Sequence, residues 1–103
     1  MAVVRTTPSA DRRVLDAACW WWENRPAAPD LFVREFVEAV ARLARTPKLG
    51  TPYACPTVAD VRRILMRRTK YHVYYVYRSD HDEVWILSVW RAMRGRGPDL
   101  EEP

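Results

Sequence analysis

The chain has 103 residues, 49% of them hydrophobic, with 17 lysines and arginines against 13 aspartates and glutamates, for a net charge of +4. That length holds one domain, 1–103, which buries roughly two-thirds of its unfolded surface. The basic balance suits an acidic partner, either protein or nucleic acid. No apolar run approaches the ~20 residues that cross a bilayer, so no membrane association is expected.

The opening MAVVRTTPSADRR carries charge where a secretory leader needs an apolar stretch, so a cytoplasmic location is expected. Ala2–Thr6 reads as a short strand, broken by Pro8. Thr7 or Ser9 can cap a helix there, with Pro8 tolerated in its first turn and Asp11 favourable near its positive end. This helix is predicted to run to about Asn24. Val14, Ala17, Ala18 and Trp21 fall on one apolar face, widened by Leu15, Cys19 and Trp22. Asn24-Arg25-Pro26 and Pro29 stop it. Asp30 is placed to cap a second helix over about Leu31–Arg45. The predicted stripe there is Val33, Phe36, Val37, Val40 and Leu43 or Ala44, with Arg34, Glu35, Glu38 and Arg42 on the wet side. The short linker implies an antiparallel helical hairpin.

Thr46–Pro56 holds four prolines and glycines and reads as a long loop. The apolar period then changes from 3.6 to 2. Val61–Arg68, Tyr71–Arg78 and Val84–Trp90 are predicted strands, joined by Thr69-Lys70 and Ser79–Asp82 into an antiparallel meander. Strict alternation sets Trp85, Leu87 and Val89 against Val84, Ile86, Ser88 and Trp90. The expected fold is α+β, ordered β-α-α-β-β-β. Its helical hairpin covers one face of a mostly antiparallel four-stranded sheet, and about 91–103 forms a flexible tail, basic then acidic. The other sheet face is left partly open, with aromatic and basic residues. Cys19 and Cys55 make no CxxC pair and read as reduced, buried thiols. The His, Cys and carboxylate spacings suggest no metal site, no phosphate loop is present, and no cofactor is expected.

Several segments, in this order, carry a resemblance. They are Glu23-Asn24-Arg25-Pro26-Ala27-Ala28, Leu43 through Pro47-Lys48-Leu49-Gly50, Val61-Arg62-Arg63-Ile64, Tyr71-His72-Val73-Tyr74-Tyr75 and Val84–Val89. From Val3 to about Leu100 the chain resembles the RelE/ParE toxin superfamily of type II toxin–antitoxin systems, in its ParE-like branch. The resemblance implies a toxin silenced by a cognate antitoxin, which in that family wraps around the helical hairpin and sheet. A homodimer and a toxin–antitoxin heterotetramer are both compatible with it.

The superfamily divides by target. RelE-like members cut messenger RNA on the ribosome, and ParE-like members act on DNA gyrase. The cutting reaction needs cations for the developing phosphate charge and an acid–base pair for the 2′-OH and the leaving oxygen. The segment Trp90–Leu100 supplies Arg91, Arg94 and Arg96 but no Tyr, His or Lys, and Pro98 stands about where a RelE-like Tyr is expected. The reading is therefore gyrase inhibition by protein contact. The alternative is a metal-independent endoribonuclease using Arg63, Arg91 and Arg94 with His72 or Tyr74 as acid–base group. A third reading is a degenerate toxin that survives only as an antitoxin-binding partner.

Target- or antitoxin-binding candidates are Trp20, Trp22, Arg62, Arg67, Arg68, Trp90, Arg91, Arg94 and Arg96. Trp20-Trp21-Trp22 span about 200° of a helix, so one indole must face away from the core. Exposed, it suits an interface; the bland reading is cover by the second helix. Arg62, Arg67 and Arg68 suit acidic side chains or phosphates, or else simply guard a sheet edge with charge. His72 reads first as a packed histidine, and His81 as an exposed turn residue.

Overall fold

The computed structural model describes residues 1–93 and 95–103; the candidate Arg94 lies outside the described residues. Strand β1 (Val3–Thr6) leads into helix α1 (Pro8–Asn24), and α2 (Leu31–Arg45) follows after a short connector. Strands β2 (Thr51–Pro52), β3 (Arg62–Met66), β4 (Tyr71–Arg78) and β5 (Glu83–Arg91) come after them. The sheet order is β1-β5-β4-β3-β2. Only the β1–β5 pair is parallel. Among the described residues, no helix is long and apolar enough to cross a membrane.

Both helices start and stop where the sequence signals them. Thr7 caps α1, its hydroxyl accepting from Ala10 N–H at 3.0 Å. Asp30 occupies the cap position of α2 without a side-chain cap bond. Its carboxylate pairs instead with Arg34 at 3.2 Å.

The four-stranded expectation is corrected to five strands. Thr51 and Pro52 pair antiparallel with Arg63 and Arg62. Two residues in a Pro-rich loop show no periodicity, and an edge strand tolerates the proline that a central strand would reject. The first meander strand ends at Met66 and not at Arg68, so Arg67 and Arg68 belong to a four-residue turn with Lys70 at φ +64°.

Helix α2 is rotated relative to the predicted stripe. Phe32, Ala39 and Leu43 are buried, whereas Val33 and Val37 face outward. On α1, Trp21 is 7% exposed, whereas Leu15, Cys19 and Trp22 form an outward stripe instead of widening the core face. The two free cysteines are accordingly not the buried pair expected: Cys19 is exposed and Cys55 half-buried.

Glu35, assigned to the wet side, ties α2 to the β3–β4 turn. Its carboxylate accepts from Arg68 N–H at 2.7 Å, Thr69 N–H at 2.9 Å and Thr69 Oγ1 at 2.7 Å. Partial burial works to raise its pKa. The Thr69 and Arg68 hydrogen bonds and the Arg68 charge outweigh that, and hold it below the ordinary 4.5. A depressed acid contributes stability above its unfolded pKa and loses it as pH falls through the lower folded value. Chemical denaturation of Glu35→Ala should show a loss of about 1.5–3 kcal/mol at neutral pH, as expected for hydrogen bonds to a charged group. In Glu35→Gln the part of the stability loss that sets in below about pH 4.5 should shrink.

The sheet separates two cores. Under the helices lie Phe32, Leu43, Ile64, Val73, Tyr75, Val84, Ile86 and Val89. On the far face Val58, Val61, Tyr74, Val76, Leu87 and Leu100 form the second cluster. The end of the predicted tail is thus seated on the face expected to stay open. Leu100 is 4% exposed, its carbonyl accepts from Thr57 Oγ1 at 2.7 Å, and Glu102 pairs with Arg78 at 2.7 Å.

The strict alternation along β5 fails at one point. Tyr74 faces Ser88 while Tyr75 faces Ile86, so Leu87 is an extra residue in the ladder, a β-bulge. The bulge inverts parity. Val89 joins the helix-side core, and Trp90 turns to the far face opposite His72.

Candidate functional site

That inversion builds a cleft of about 540 Å³ on the far face, where β3, β4 and the end of β5 meet residues 95–97. Alternation along β4 sends His72 and Tyr74 into it, β3 contributes Arg63, and β5 contributes Trp90 and Arg91. Tyr53 closes one side. The Arg63 guanidinium lies 5.0 Å from the Tyr53 ring centroid and 5.9 Å from that of Tyr74, and Arg63 Nη1 donates to Tyr74 OH at 3.3 Å. Tyr53 and Tyr74 meet edge to face at 4.9 Å, as do His72 and Tyr74 at 5.9 Å. Trp90 Nε1 donates to the Arg96 carbonyl at 3.2 Å, which holds the following segment against the cleft.

The electrostatics are cationic. Burial of the His72 ring lowers its pKa, and the Arg63 charge lowers it further, so the imidazole is neutral at pH 7. Tyr74 is buried, with its hydroxyl engaged by Arg63. The cleft can therefore hold an anion or a planar group against guanidinium and aromatic surfaces.

A second cleft, of about 320 Å³, lies across the Trp90–Arg91 ridge, between α1 and the end of β5. Trp20 lines it, with Arg91 5.0 Å and Arg25 4.7 Å from its ring centroid.

The structure thus gathers Arg63, His72, Tyr74, Trp90, Arg91 and Arg96 in one cleft and adds Trp20 next door. Trp22 stands apart, 67% exposed on the outer face of α1. Arg62 points to the helix side and donates to the Gly50 carbonyl at 2.7 Å, a brace for the loop. Arg67 and Arg68 are exposed in the β3–β4 turn. Sequence reasoning missed Tyr53, which sits in an irregular loop with no periodic signal. It also missed Arg13, although Arg13, Ala17 and Trp20 share i, i+4, i+7 spacing.

A family model for the ParE toxin of type II toxin–antitoxin systems, parDE, matches residues 4–95. The chain belongs to this family. The ParE-family fold seen here is similar to several solved chains, among them three from toxin–antitoxin systems. One comes from the RelBE2 complex of Mycobacterium tuberculosis, 25% identical, covering 87% of this chain and 96% of that one at a TM-score of 0.61. A chain of the chromosomal ParDE system from P. aeruginosa is 19% identical, with 90% and 98% covered and a TM-score of 0.72. A chain of the intact E. coli RelBE complex is 14% identical, with 91% and 100% covered at 0.60. The last two likenesses carry the fold alone. Among curated proteins, none matches the ParE-family sequence significantly.

Proposed function

We propose that this ParE-family toxin inhibits DNA gyrase by binding it, without cleaving a phosphodiester itself, and that a cognate antitoxin neutralises it. One observation carries the reading: beyond Trp90 the chain brings arginines to the far-face cleft but no Tyr, His or Lys, and Pro98 is the next half-buried residue after Gly97. What this segment adds to the cleft binds and holds. Cleavage also requires a proton acceptor and a donor placed at the reacting oxygens. The match of the ParE family model supports the same branch.

The antitoxin reading rests on the helical hairpin. Leu15 and Trp22 on α1, and Val33 and Val37 on α2, are large apolar residues left exposed. Such residues mark a surface that awaits a partner, and the RelBE2 and ParDE neighbours come from toxin–antitoxin systems. Gyrase binding would place the toxin in the cytoplasm.

A second reading has its own support. The cleft brings His72 and Tyr74 together with Arg63 and Arg91, a neutral imidazole beside three other polar groups, which is the composition of a metal-independent endoribonuclease. The two readings separate in one pair of assays. Purified toxin is expected to block supercoiling by gyrase or to trap gyrase-dependent DNA breaks, while leaving messenger RNA on programmed ribosomes intact. Cut messenger RNA with untouched gyrase would reverse the assignment. Unimpaired growth on expression without antitoxin would leave only an antitoxin-binding partner.

A further inference from the structure

We propose that the cleft between α1 and the end of β5 is a binding site for single-stranded nucleic acid, with a base stacked on Trp20 or Trp90 and its flanking phosphates on Arg13 and Arg91. The inference goes beyond the gyrase reading and does not depend on it.

The site is built from two elements. α1 presents Arg13 and Trp20 on one side, and β5 presents Trp90 and Arg91 on the other, with the buried Tyr71 of β4, paired with Arg91, as part of the wall. At about 320 Å³ the cleft sits at the lower end of the roughly 300–1,000 Å³ usual for ligand sites. Each guanidinium already lies over an aromatic face. Arg13 is 5.0 Å from the Trp90 ring centroid, and Arg91 is 5.0 Å from Trp20 and 5.9 Å from Tyr71. Among the described residues, neither arginine forms an ion pair with a carboxylate.

A cation over a solvent-accessible ring is weakly held. A base is planar like the guanidinium it would replace and stacks on the same indole face. The released guanidinium then has a bidentate partner in the adjoining phosphate, a better acceptor than a ring. Asp16, the one acid in the lining, can accept from an exocyclic amine or ring N–H.

A polymer fits better than a free nucleotide because the cleft does not end at its own wall. Trp90 and Arg91 also line the far-face cleft, where Arg63 and Arg96 supply further cations. A single strand can cross the ridge from one cleft to the next. A duplex keeps its bases stacked on one another and cannot offer a ring face. An acidic peptide would satisfy the arginines but would leave the faces of Trp20 and Trp90 unused.

The test uses the full chain with labelled ten-nucleotide oligo(dT), oligo(rU), a matching duplex and a polyglutamate peptide. Anisotropy should show single-strand binding together with quenching of tryptophan fluorescence. Raising salt from 50 to 200 mM should weaken it about fivefold to tenfold, as expected for roughly two phosphates neutralised. Trp90→Leu should weaken it about tenfold or more. Arg13→Glu with Arg91→Glu should do the same, and as changes at exposed positions they keep the test valid if the tryptophan variant fails to fold. The ratio of oligo(dT) to oligo(rU) affinity identifies which nucleic acid is the natural source. Absence of single-strand binding at 50 mM salt, equal affinity for the duplex, or polyglutamate binding as tightly with no quenching would each overturn the proposal. Gyrase inhibition is read separately, so failure of either claim leaves the other distinguishable.

Discussion

Phe32→Ala should remove about 3–5 kcal/mol of folding stability, the range for emptying a buried phenylalanine site. A domain of this size holds roughly 5–15 kcal/mol in all, so the variant should unfold at much lower denaturant or fail to accumulate. Phe32 is wholly buried in the first turn of α2. Its ring meets Tyr71 edge to face at 4.9 Å and stacks on Phe36 at 6.2 Å. Tyr71 in turn begins β4 and lines the α1–β5 cleft, so the loss reaches from the helical layer to the candidate site. Val37→Ala, one turn along the outer face of α2, should change stability by no more than about 0.5 kcal/mol. Urea titrations of the two variants check the helix rotation directly. A larger loss from Val37→Ala than from Phe32→Ala would mean that α2 packs on its valine face instead.

The same helix explains what sequence could and could not disclose. Its limits, Leu31 to Arg45, follow from a proline connector on one side and Pro47 on the other. Its rotation does not follow, because 33, 37, 40 and 44 satisfy helical spacing as well as 32, 36, 39 and 43. The larger area of Phe32 decides between the two faces once the sheet is present. For Trp20-Trp21-Trp22 the geometry of three consecutive positions required an outlier, and packing selected Trp22. The pairing of β3 with β4 was readable from alternation and a short connector, although the end of β3 at Met66 was not. The β5 bulge was not, since one extra residue in a ladder leaves no trace in composition.

That bulge matters most for the site. With unbroken alternation Trp90 would enter the helix-side core and the far face would lack its indole. With Leu87 as the extra residue, Trp90 faces His72, and Arg91 stands at the junction of two clefts. The basic, aromatic character of the site was therefore legible as an inventory of residues. Its arrangement depended on a local register change, and on loop residues such as Tyr53 that reach the cleft only because β2 draws the loop against β3. The seating of Leu100 on the far face was equally out of reach, because a lone leucine in a polar segment gives no periodic signal.

Gly50→Ala tests how firmly that loop is fixed to the site. Its expected cost is about 1–3 kcal/mol from overpacking, together with a lost hydrogen bond. A methyl group built at Gly50 would lie 2.8 Å from Tyr75 OH, 2.9 Å from Tyr75 Cε1 and 2.9 Å from the Arg63 carbonyl oxygen. Tyr75 is fully buried and cannot swing away, and the carbonyl belongs to the β3 backbone. Relief must come from moving the loop, which parts Gly50 N–H from Tyr75 OH, now 2.8 Å away, and the Gly50 carbonyl from Arg62. Burial raises the Tyr75 pKa, against the lowering effect of the Gly50 bond, so the phenol stays protonated. Tyr75→Phe keeps the packing and strands only the Gly50 N–H, a loss of about 1–3 kcal/mol. Because both changes act on one contact, the double variant should lose clearly less than the sum of the two single losses. Displacement of Arg63 should also loosen its hold on Tyr53 and Tyr74. Gly50→Ala should therefore weaken both gyrase inhibition and oligonucleotide binding, whereas Val37→Ala leaves oligonucleotide binding unchanged. Additive losses from Gly50→Ala and Tyr75→Phe would show that the loop and the β4 tyrosine stabilise the fold independently.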